Sequence, residues 1–212
     1  MNYEVIRKMV HNITWRRNGI GNVKDTNIFE RELTGLICGI ASENNISDTD
    51  VCKFLLNIQT HVLKPIDCSG KICDISDLLD KRITQDPLYK LLEYDLMYFK
   101  PGRTQVGPGE FFLCLFDLES EFGISSTSGY DIKVNGITTE LKKHGSNFTN
   151  PEMFDKYQLS EKVDRLFVVK PVSNAKKPTI RSKYSCVDLT RDNWNIAFGH
   201  RGKSGTLHYL VD

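Results

Sequence analysis

Several features of other protein classes are missing from this 212-residue chain. No stretch approaches the roughly 20 apolar residues that a membrane span needs, and the N-terminus lacks the apolar core of a signal peptide. The segment Gly107-Pro-Gly109 lacks the Gly-Lys-Ser/Thr ending of a phosphate-binding loop, and the chain has no internal repeat. These absences predict a protein without membrane association and without a P-loop.

The cysteine spacing and the net charge also lack the patterns that mark a zinc site or a strongly basic nucleic-acid binder. The six cysteines are scattered, and no second pair follows Cys68 and Cys73 to complete a zinc site. Reduced thiols in a cytoplasmic, reducing location are therefore expected. The formal net charge of +1 argues against a purely electrostatic nucleic-acid binder. Hydrophobic content of 40% and charged content of 26% are ordinary for a globular chain with a real core.

The most informative segment of the sequence is 129–144. Asn135-Gly136 lies between two short runs of alternating polarity, which predicts a two-residue hairpin turn because both residues tolerate positive φ. Pairing outward from that turn places Asp131 directly across from Glu140.

The two faces of this predicted hairpin differ in polarity, because side chains alternate along a strand. One face is nearly all apolar and is expected to lie against the core: Tyr130, Ile132, Val134, Ile137, Thr139 and Leu141. The other face is polar and is expected to point outward: Asp131, Lys133, Thr138, Glu140 and Lys142. A slip of one residue would bury every charge, so the register is strongly specified.

Two carboxylates opposite each other on a sheet repel and destabilise it. A divalent cation between Asp131 and Glu140 removes that repulsion, since hard cations take oxygen ligands. Lys142, on the same face, is then placed to stabilise negative charge or to help orient and deprotonate a metal-bound water. The alternative interpretation is a solvated strand face on which Lys133 and Lys142 neutralise the acids.

A second informative segment, 106–122, precedes the hairpin. Pro108 suits a first helical turn, and Glu110 in that turn is favoured by the helix dipole. The apolar run 111–116 predicts a buried helix beside the hairpin, with Gly123 as its C-terminal stop.

Taken together, Gly-Pro-Gly-Glu110 at a helix start, then Asp131, then Glu140-Leu141-Lys142 on the adjacent strand resemble the PD-(D/E)XK nuclease superfamily. That superfamily includes restriction, phage and homing endonucleases. The resemblance covers residues 107–170, and Tyr130 stands where the Pro that names the motif precedes the Asp.

The resemblance implies an α/β fold with a restriction-endonuclease-like core, in which a central mixed β-sheet is flanked by helices, here with an N-terminal helical region. It implies Mg²⁺ ligands in Asp131 and Glu140, a catalytic lysine in Lys142 and a further catalytic acid in Glu110. Mn²⁺ is an expected substitute, being hard and similarly sized. The implied activity is Mg-dependent hydrolysis of DNA phosphodiester bonds.

The remaining segments support this organisation. Residues 1–104 are predicted to form a helical region packed on the core, and 105–212 a catalytic core with a basic C-terminal part. Helices are predicted from Thr26, after a cap at Asp48, from Pro87 and over 151–163. Strands are predicted at 165–170, in the middle of the sheet, at 184–189 and at 206–211.

DNA contacts are expected beyond the catalytic strand. Lys143, His144 and Asn147 lie in a donor-rich loop that is placed to reach phosphates or base edges. The alternative for His144 is an ordinary surface residue. Cations within 171–212 are predicted to line a DNA cleft, or alternatively to be ordinary surface charges. Symmetric cleavage of both strands needs two sites, which predicts a homodimer.

Two other classes stay open from the sequence. One is a noncatalytic nucleic-acid-binding or virion-associated protein that retains the nuclease fold, and the other is an interaction domain with a chance Glu-x-Lys. Salt-sensitive DNA binding without cleavage favours the first of these. Absence of any DNA affinity favours the second.

Overall fold

A six-stranded mixed β-sheet organises the described part of the chain, with helices packed against it. The computed structural model describes residues 1–14, 23–99, 107, 109–123, 130–144, 163–172 and 181–189, with 23–26 described by their backbone alone. This architecture confirms the predicted α/β class and the central mixed sheet flanked by helices.

The N-terminal half of the described chain is largely helical. Its helices are α1 (Tyr3–Thr14), α2 (Val23–Glu43), α3 (Asp48–Gln59), α4 (Lys81–Thr84) and α5 (Pro87–Met97). A 3₁₀ turn at Ile75–Leu78 precedes α4, and the short helix α6 (Glu110–Phe116) leads into the sheet. Within the described ranges, no helix combines the length and apolar character needed to cross a bilayer.

Local sequence explains where two of these helices begin. The Ser47 hydroxyl accepts a hydrogen bond from the backbone N–H of Asp50 at 3.2 Å, so Ser47 caps α3. The prediction of Asp48 as the cap is therefore wrong by one residue. Asp48 is the first residue of the helix, where a negative charge favours the dipole. Pro87 occupies the first turn of α5, as predicted.

The strands are β1 (Cys73–Asp74), β2 (Glu121–Phe122), β3 (Ile132–Val134), β4 (Ile137–Lys143), β5 (Arg165–Lys170) and β6 (Lys183–Asp188). Their order across the sheet is β1-β6-β5-β4-β3-β2. β4 pairs antiparallel with β3 and parallel with β5, and β5 pairs antiparallel with β6. The prediction that β5 lies inside the sheet is confirmed.

Both edge strands depart from the predictions. β1 falls in a stretch interpreted as loop, yet it pairs with β6. β2 falls in the stretch interpreted as the end of α6, and Gly123 follows β2 instead of stopping the helix. α6 ends at Phe116 because Asp117 adopts an extended conformation, with φ −123° and ψ 109°. Strands of two residues are too short to show the alternation that identifies a strand in a sequence.

Three predictions lie wholly or almost wholly outside the described residues. They are the helix at 151–163, the strand at 206–211 and most of the cationic C-terminal region at 171–212.

One apolar cluster joins the helices to the sheet. Its fully buried rings include Phe29 of α2, Phe54 of α3, Phe112 of α6 and Phe167 of β5. Phe29 also stacks on Phe111 with a centroid distance of 5.1 Å. Complete burial of a side chain of this size stabilises the fold by about 1.5–3 kcal/mol. This packing holds the start of α6 beside the hairpin of β3 and β4.

Candidate functional site

The hairpin between β3 and β4 has the turn and register that the sequence predicts. Asn135 has φ 51° and Gly136 has φ 76°, the positive pair that a type I′ turn needs. The ladder pairs Val134 with Ile137 and continues outward without a slip. The Asn135 side-chain amide also donates to the Leu63 carbonyl at 3.3 Å, which ties the turn to the helical region.

Burial separates the two faces of the hairpin in part: four of the six side chains on the predicted core face are buried, whereas Tyr130 and Ile137 are only partly buried. The buried side chains belong to the apolar face: Ile132, Val134, Thr139 and Leu141. The polar face is partly exposed and carries Asp131, Lys133, Thr138, Glu140 and Lys142. The register therefore brings Glu140 and Lys142 to the same outward face.

Asp131 lies one residue before the regular strand and joins the site through its side chain. Its backbone N–H still donates to the Thr139 carbonyl at 3.2 Å. Beyond that point the paired ladder has ended, and one Asp131 carboxylate oxygen, Oδ2, accepts the backbone N–H of Leu141 at 2.8 Å. Asp131 thus reaches across to β4 between Glu140 and Lys142, with its carboxylate held by a backbone donor.

Lys142 lies between the two acids. Its ammonium Nζ is 3.5 Å from Asp131 Oδ2 and forms an ion pair with Glu140 Oε1. The side chains are 28% exposed for Asp131, 14% for Glu140 and 25% for Lys142, so the group is recessed and still open to solvent. Screening by water is weaker at such a site than on an open surface.

Glu110 brings a third carboxylate to the same place. It is the first residue of α6, and burial followed by the negative charge of Asp131 raises the pKa of Glu110 to about 8. The backbone of Gly107 hydrogen-bonds to this carboxyl and opposes the rise. Glu110 therefore carries a proton at neutral pH in the metal-free protein, and Asp131 is its principal charged neighbour.

The other two ionisable groups respond to the same crowding. Burial, and then Asp131, raise the pKa of Glu140 above its ordinary value despite the nearby ammonium. Burial alone would lower the pKa of Lys142, but Asp131 and Glu140 raise it above its ordinary value. With Glu110 protonated, the carboxyl groups of Asp131 and Glu140 still outnumber the one ammonium, and an excess of negative charge favours a cation.

Gly109 allows α6 to start this close to the sheet. It has φ 89°, in the region that favours glycine, and it directly precedes Glu110. A β-carbon at this position would lie 3.1 Å from a methyl of Val169 and 3.4 Å from one of Leu141. Packing therefore explains the glycine before Glu110, because the backbone at Gly109 lies in contact with side chains of β4 and β5.

The metal-binding potential rests on the carboxylates alone. Among the described residues, no group of three or more His, Cys, Asp or Glu side chains is close enough to hold an ion. Asp131 and Glu140 are separated by the Lys142 ammonium, a monovalent cation in the position predicted for the metal. Two carboxylates suit Mg²⁺, which usually keeps several waters and phosphate oxygens as its other ligands. Asp131 and Glu140 would thus supply two oxygen ligands, and the magnesium site stays a prediction.

The predicted DNA-contacting residues divide into three cases. Lys143 is exposed, and its ammonium lies over the Tyr98 ring, 5.3 Å from the centroid. His144 follows β4, and its backbone N–H donates to the Val169 carbonyl at 2.7 Å. Asn147 lies outside the described residues.

Two participants escaped the sequence interpretation. The Leu141 N–H, which holds Asp131, has no sequence signal because every residue but proline has this donor. The contact of Lys143 with Tyr98 did have a sequence signal, because strand alternation places Lys143 on the opposite face from Lys142, toward the helices.

Comparison of the chain with protein-family models, with curated proteins and with solved structures gives no match.

Proposed function

We propose that this protein is a metal-dependent deoxyribonuclease that hydrolyses DNA phosphodiester bonds. The observation that carries the proposal is the convergence of Glu110, Asp131, Glu140 and Lys142 from a helix start and two strands on one recessed, solvent-open point. Lys142 forms ion pairs with Asp131 and Glu140, and Glu110 lies within electrostatic range of the same ammonium. The pKa values of Glu110 and Glu140 are both raised.

Asp131 and Glu140 are the residues that would hold Mg²⁺, with Mn²⁺ as a substitute. Asp131 is already oriented by the Leu141 N–H, which lowers the cost of arranging it for an ion. When bound, the ion supplies Lewis acidity toward a phosphate oxygen and makes a water more acidic.

Lys142 supplies a positive charge that the protein itself carries. Its raised pKa keeps the amine protonated at neutral pH, so its role is that of a charged donor rather than a free base. An ammonium recessed beside two acids stabilises negative charge on a nearby phosphate. Glu110 holds a proton at neutral pH and is the acid whose charge is most easily altered by a neighbouring cation.

The order of elements supports a restriction-endonuclease-like core. A helix that starts with an acid, α6, is followed by an antiparallel hairpin, and the second strand of that hairpin then pairs parallel with β5. The Glu-x-Lys lies on β4, the strand between the antiparallel and the parallel neighbour. The resemblance implies a central mixed sheet flanked by helices, with an acid on the helix that precedes the Asp and Glu-x-Lys strands, and this order of elements is compatible with it. A restriction, phage or homing type of enzyme is the proposed class.

DNA is the proposed partner, and a homodimer is the proposed state for cutting both strands. Lys143 is exposed at the end of β4, on the opposite face from Lys142 and over the Tyr98 ring, so a phosphate that it contacts is a different one from the phosphate at Lys142. Loss of the Lys143 charge should weaken DNA binding and reduce its salt dependence by about one phosphate contact.

The test is incubation of the purified protein with supercoiled plasmid in Mg²⁺, Mn²⁺ or EDTA. Nicking or linearisation that needs the metal is expected, and Glu140→Ala, Lys142→Ala and Asp131→Asn should each abolish it. The matched controls are Glu121→Ala on β2 and Lys53→Ala on α3, which remove an exposed acid and an exposed base outside the group formed by Glu110, Asp131, Glu140 and Lys142. Retained cleavage by Asp131→Asn contradicts the metal assignment. Salt-sensitive DNA binding without cleavage by the wild type instead favours the noncatalytic binding protein.

A further inference from the structure

Two thiols lie side by side on the far side of the sheet from the β2 edge. Cys186 belongs to β6, Cys68 belongs to the segment before β1, and their sulfur atoms are 3.7 Å apart. That segment runs antiparallel to β6: Ser69 bridges to Val187, and the Gly70 N–H donates to the Cys186 carbonyl at 2.9 Å. The sulfur contact is therefore maintained by backbone pairing between positions 118 residues apart.

The two cysteines differ in access and in chemical character. Cys186 is fully buried, whereas Cys68 is partly exposed. The hydrogen bond between Cys68 and Cys186, assisted by the Arg165 cation on β5, lowers the pKa of Cys68. Burial raises the pKa of Cys186. The accessible thiol is the more acidic one, which is the arrangement of an attacking and a resolving cysteine.

We propose that Cys68 and Cys186 form an oxidative modification site that closes to an intramolecular disulfide in the presence of hydrogen peroxide. The Cys68 thiol gives up its proton, the thiolate attacks a peroxide oxygen, and the O–O bond breaks. Cys68 sulfenic acid forms, and the departing hydroxide takes up the proton from Cys68 to become water. The Cys186 sulfur then attacks the Cys68 sulfur, the S–O bond breaks, and a second water leaves with the Cys186 proton. In total, two thiols and one peroxide give one disulfide and two waters.

The surroundings permit this closure. A disulfide needs sulfurs at about 2.05 Å, so the pair must approach by less than about 2 Å. Cys68 lies in an irregular segment that Ser69 and Gly70 hold against β6, and its side chain is partly exposed. Cys186 pairs in register with Phe167, which pairs with Leu141 of the acidic site. The bond therefore links the helical region covalently to the sheet that carries the site.

The experiment treats the full chain with hydrogen peroxide, alkylates the remaining thiols and maps the tryptic peptides by mass spectrometry. Trypsin separates Cys68, in peptide 54–71, from Cys186, in peptide 184–191, and places Cys73 in a third peptide. The expected product is 54–71 joined to 184–191 with the loss of two hydrogens, reversed by dithiothreitol. The oxidised protein should also unfold about 5–10 °C higher, because the bond restricts a long loop in the unfolded chain.

Variants separate this pair from general thiol oxidation. Cys52→Ser, which removes a partly exposed thiol outside the pair, should leave the cross-link unchanged. Cys68→Ser and Cys186→Ser should each abolish it. Oxidation of wild-type Cys68 to a sulfinic acid without a cross-link overturns the proposal. A cross-link from Cys68 to a different cysteine overturns it equally, and neither result depends on whether a variant folds.

Discussion

Two carboxylates of this protein lie in opposite electrostatic surroundings. Glu30 of α2 accepts the Arg7 guanidinium at 2.8 Å and hydrogen-bonds the His11 ring at 2.7 Å, both from α1. Burial by itself would raise the pKa of Glu30, but the hydrogen bonds from His11 and Arg7 lower it overall. Glu110 instead faces Asp131, and its pKa is raised to about 8.

Glu30 is neutralised within the fold, whereas the acids near Glu110 outnumber the one cation beside them. Arg7 and His11 hydrogen-bond to the two carboxylate oxygens of Glu30. The Glu30 carboxylate therefore joins α1 to α2 and is already neutralised without a ligand. Negative charge is in excess around Glu110, which the fold tolerates at a cost in stability. Uncompensated charge on a solvent-open face is what a substrate or a metal ion can neutralise.

The largest difference between the surroundings of Glu30 and those of Glu110 should appear in how much Mg²⁺ stabilises variants of each. Glu140→Gln is expected to remove the stabilisation of the protein by Mg²⁺ and to lower DNA cleavage by roughly 1,000-fold, because a ligand and its charge are both lost. Glu30→Gln should leave metal binding unchanged. Thermal unfolding across a Mg²⁺ titration and plasmid nicking measure both effects. Equal Mg²⁺ stabilisation of Glu140→Gln and wild type would contradict the metal assignment.

The next largest effect concerns pH and has opposite signs at the two acids. A raised pKa means that folding favours protonated Glu110, so its contribution is full below the ordinary value of 4.5 and is lost as pH rises through about 8. Glu110→Gln should remove that loss, which is on the order of a few kcal/mol. Urea unfolding at pH 5 and pH 9, without metal, measures it. A wild type and variant with parallel pH profiles would rule out the raised pKa.

Glu30 should show the reverse dependence and a smaller magnitude. Its lowered pKa gives stability that is present above the unfolded value and is lost as pH falls through the folded one. Glu30→Ala should cost about 1–2 kcal/mol at neutral pH, since Arg7 and His11 lose a shared partner but stay half exposed. The control is Glu32→Ala, which removes a surface ion pair with Arg31. Urea midpoints at pH 7 should rank the control far closer to wild type.

The smallest expected loss of stability is at His11, and it shows which of the two donors contributes more to holding the Glu30 carboxylate. His11→Ala should cost less than about 1 kcal/mol, because the His11 side chain is about half exposed and Arg7 still pairs with the carboxylate. Lys8→Ala, an exposed neighbour on the same helix, is the matched control. A loss with His11→Ala as large as with Glu30→Ala would mean that Arg7 contributes little.

Much of the candidate site follows from local sequence, and part of it does not. Asn135-Gly136 determines the turn, the turn determines the register, and the register determines that Glu140 and Lys142 share a face. The Asp131 contact with the Leu141 N–H could not be predicted, because it depends on where the ladder ends. The edge strands β1 and β2 were missed because each is too short to leave a pattern, and because the partner of β1 is distant in the chain.

By itself, the sequence determined the hairpin, its register and the residue types on its polar face, since turn preference and alternation act over a few residues. The α/β class was predicted from the family resemblance of these residues. Only the tertiary structure decided that Glu110 comes within the field of Asp131, and that Cys68 contacts Cys186. Both depend on packing between segments far apart in sequence, where no local periodicity carries information. The pKa of a carboxyl group depends on its neighbours in space, so a pKa shift can be inferred only from the folded structure.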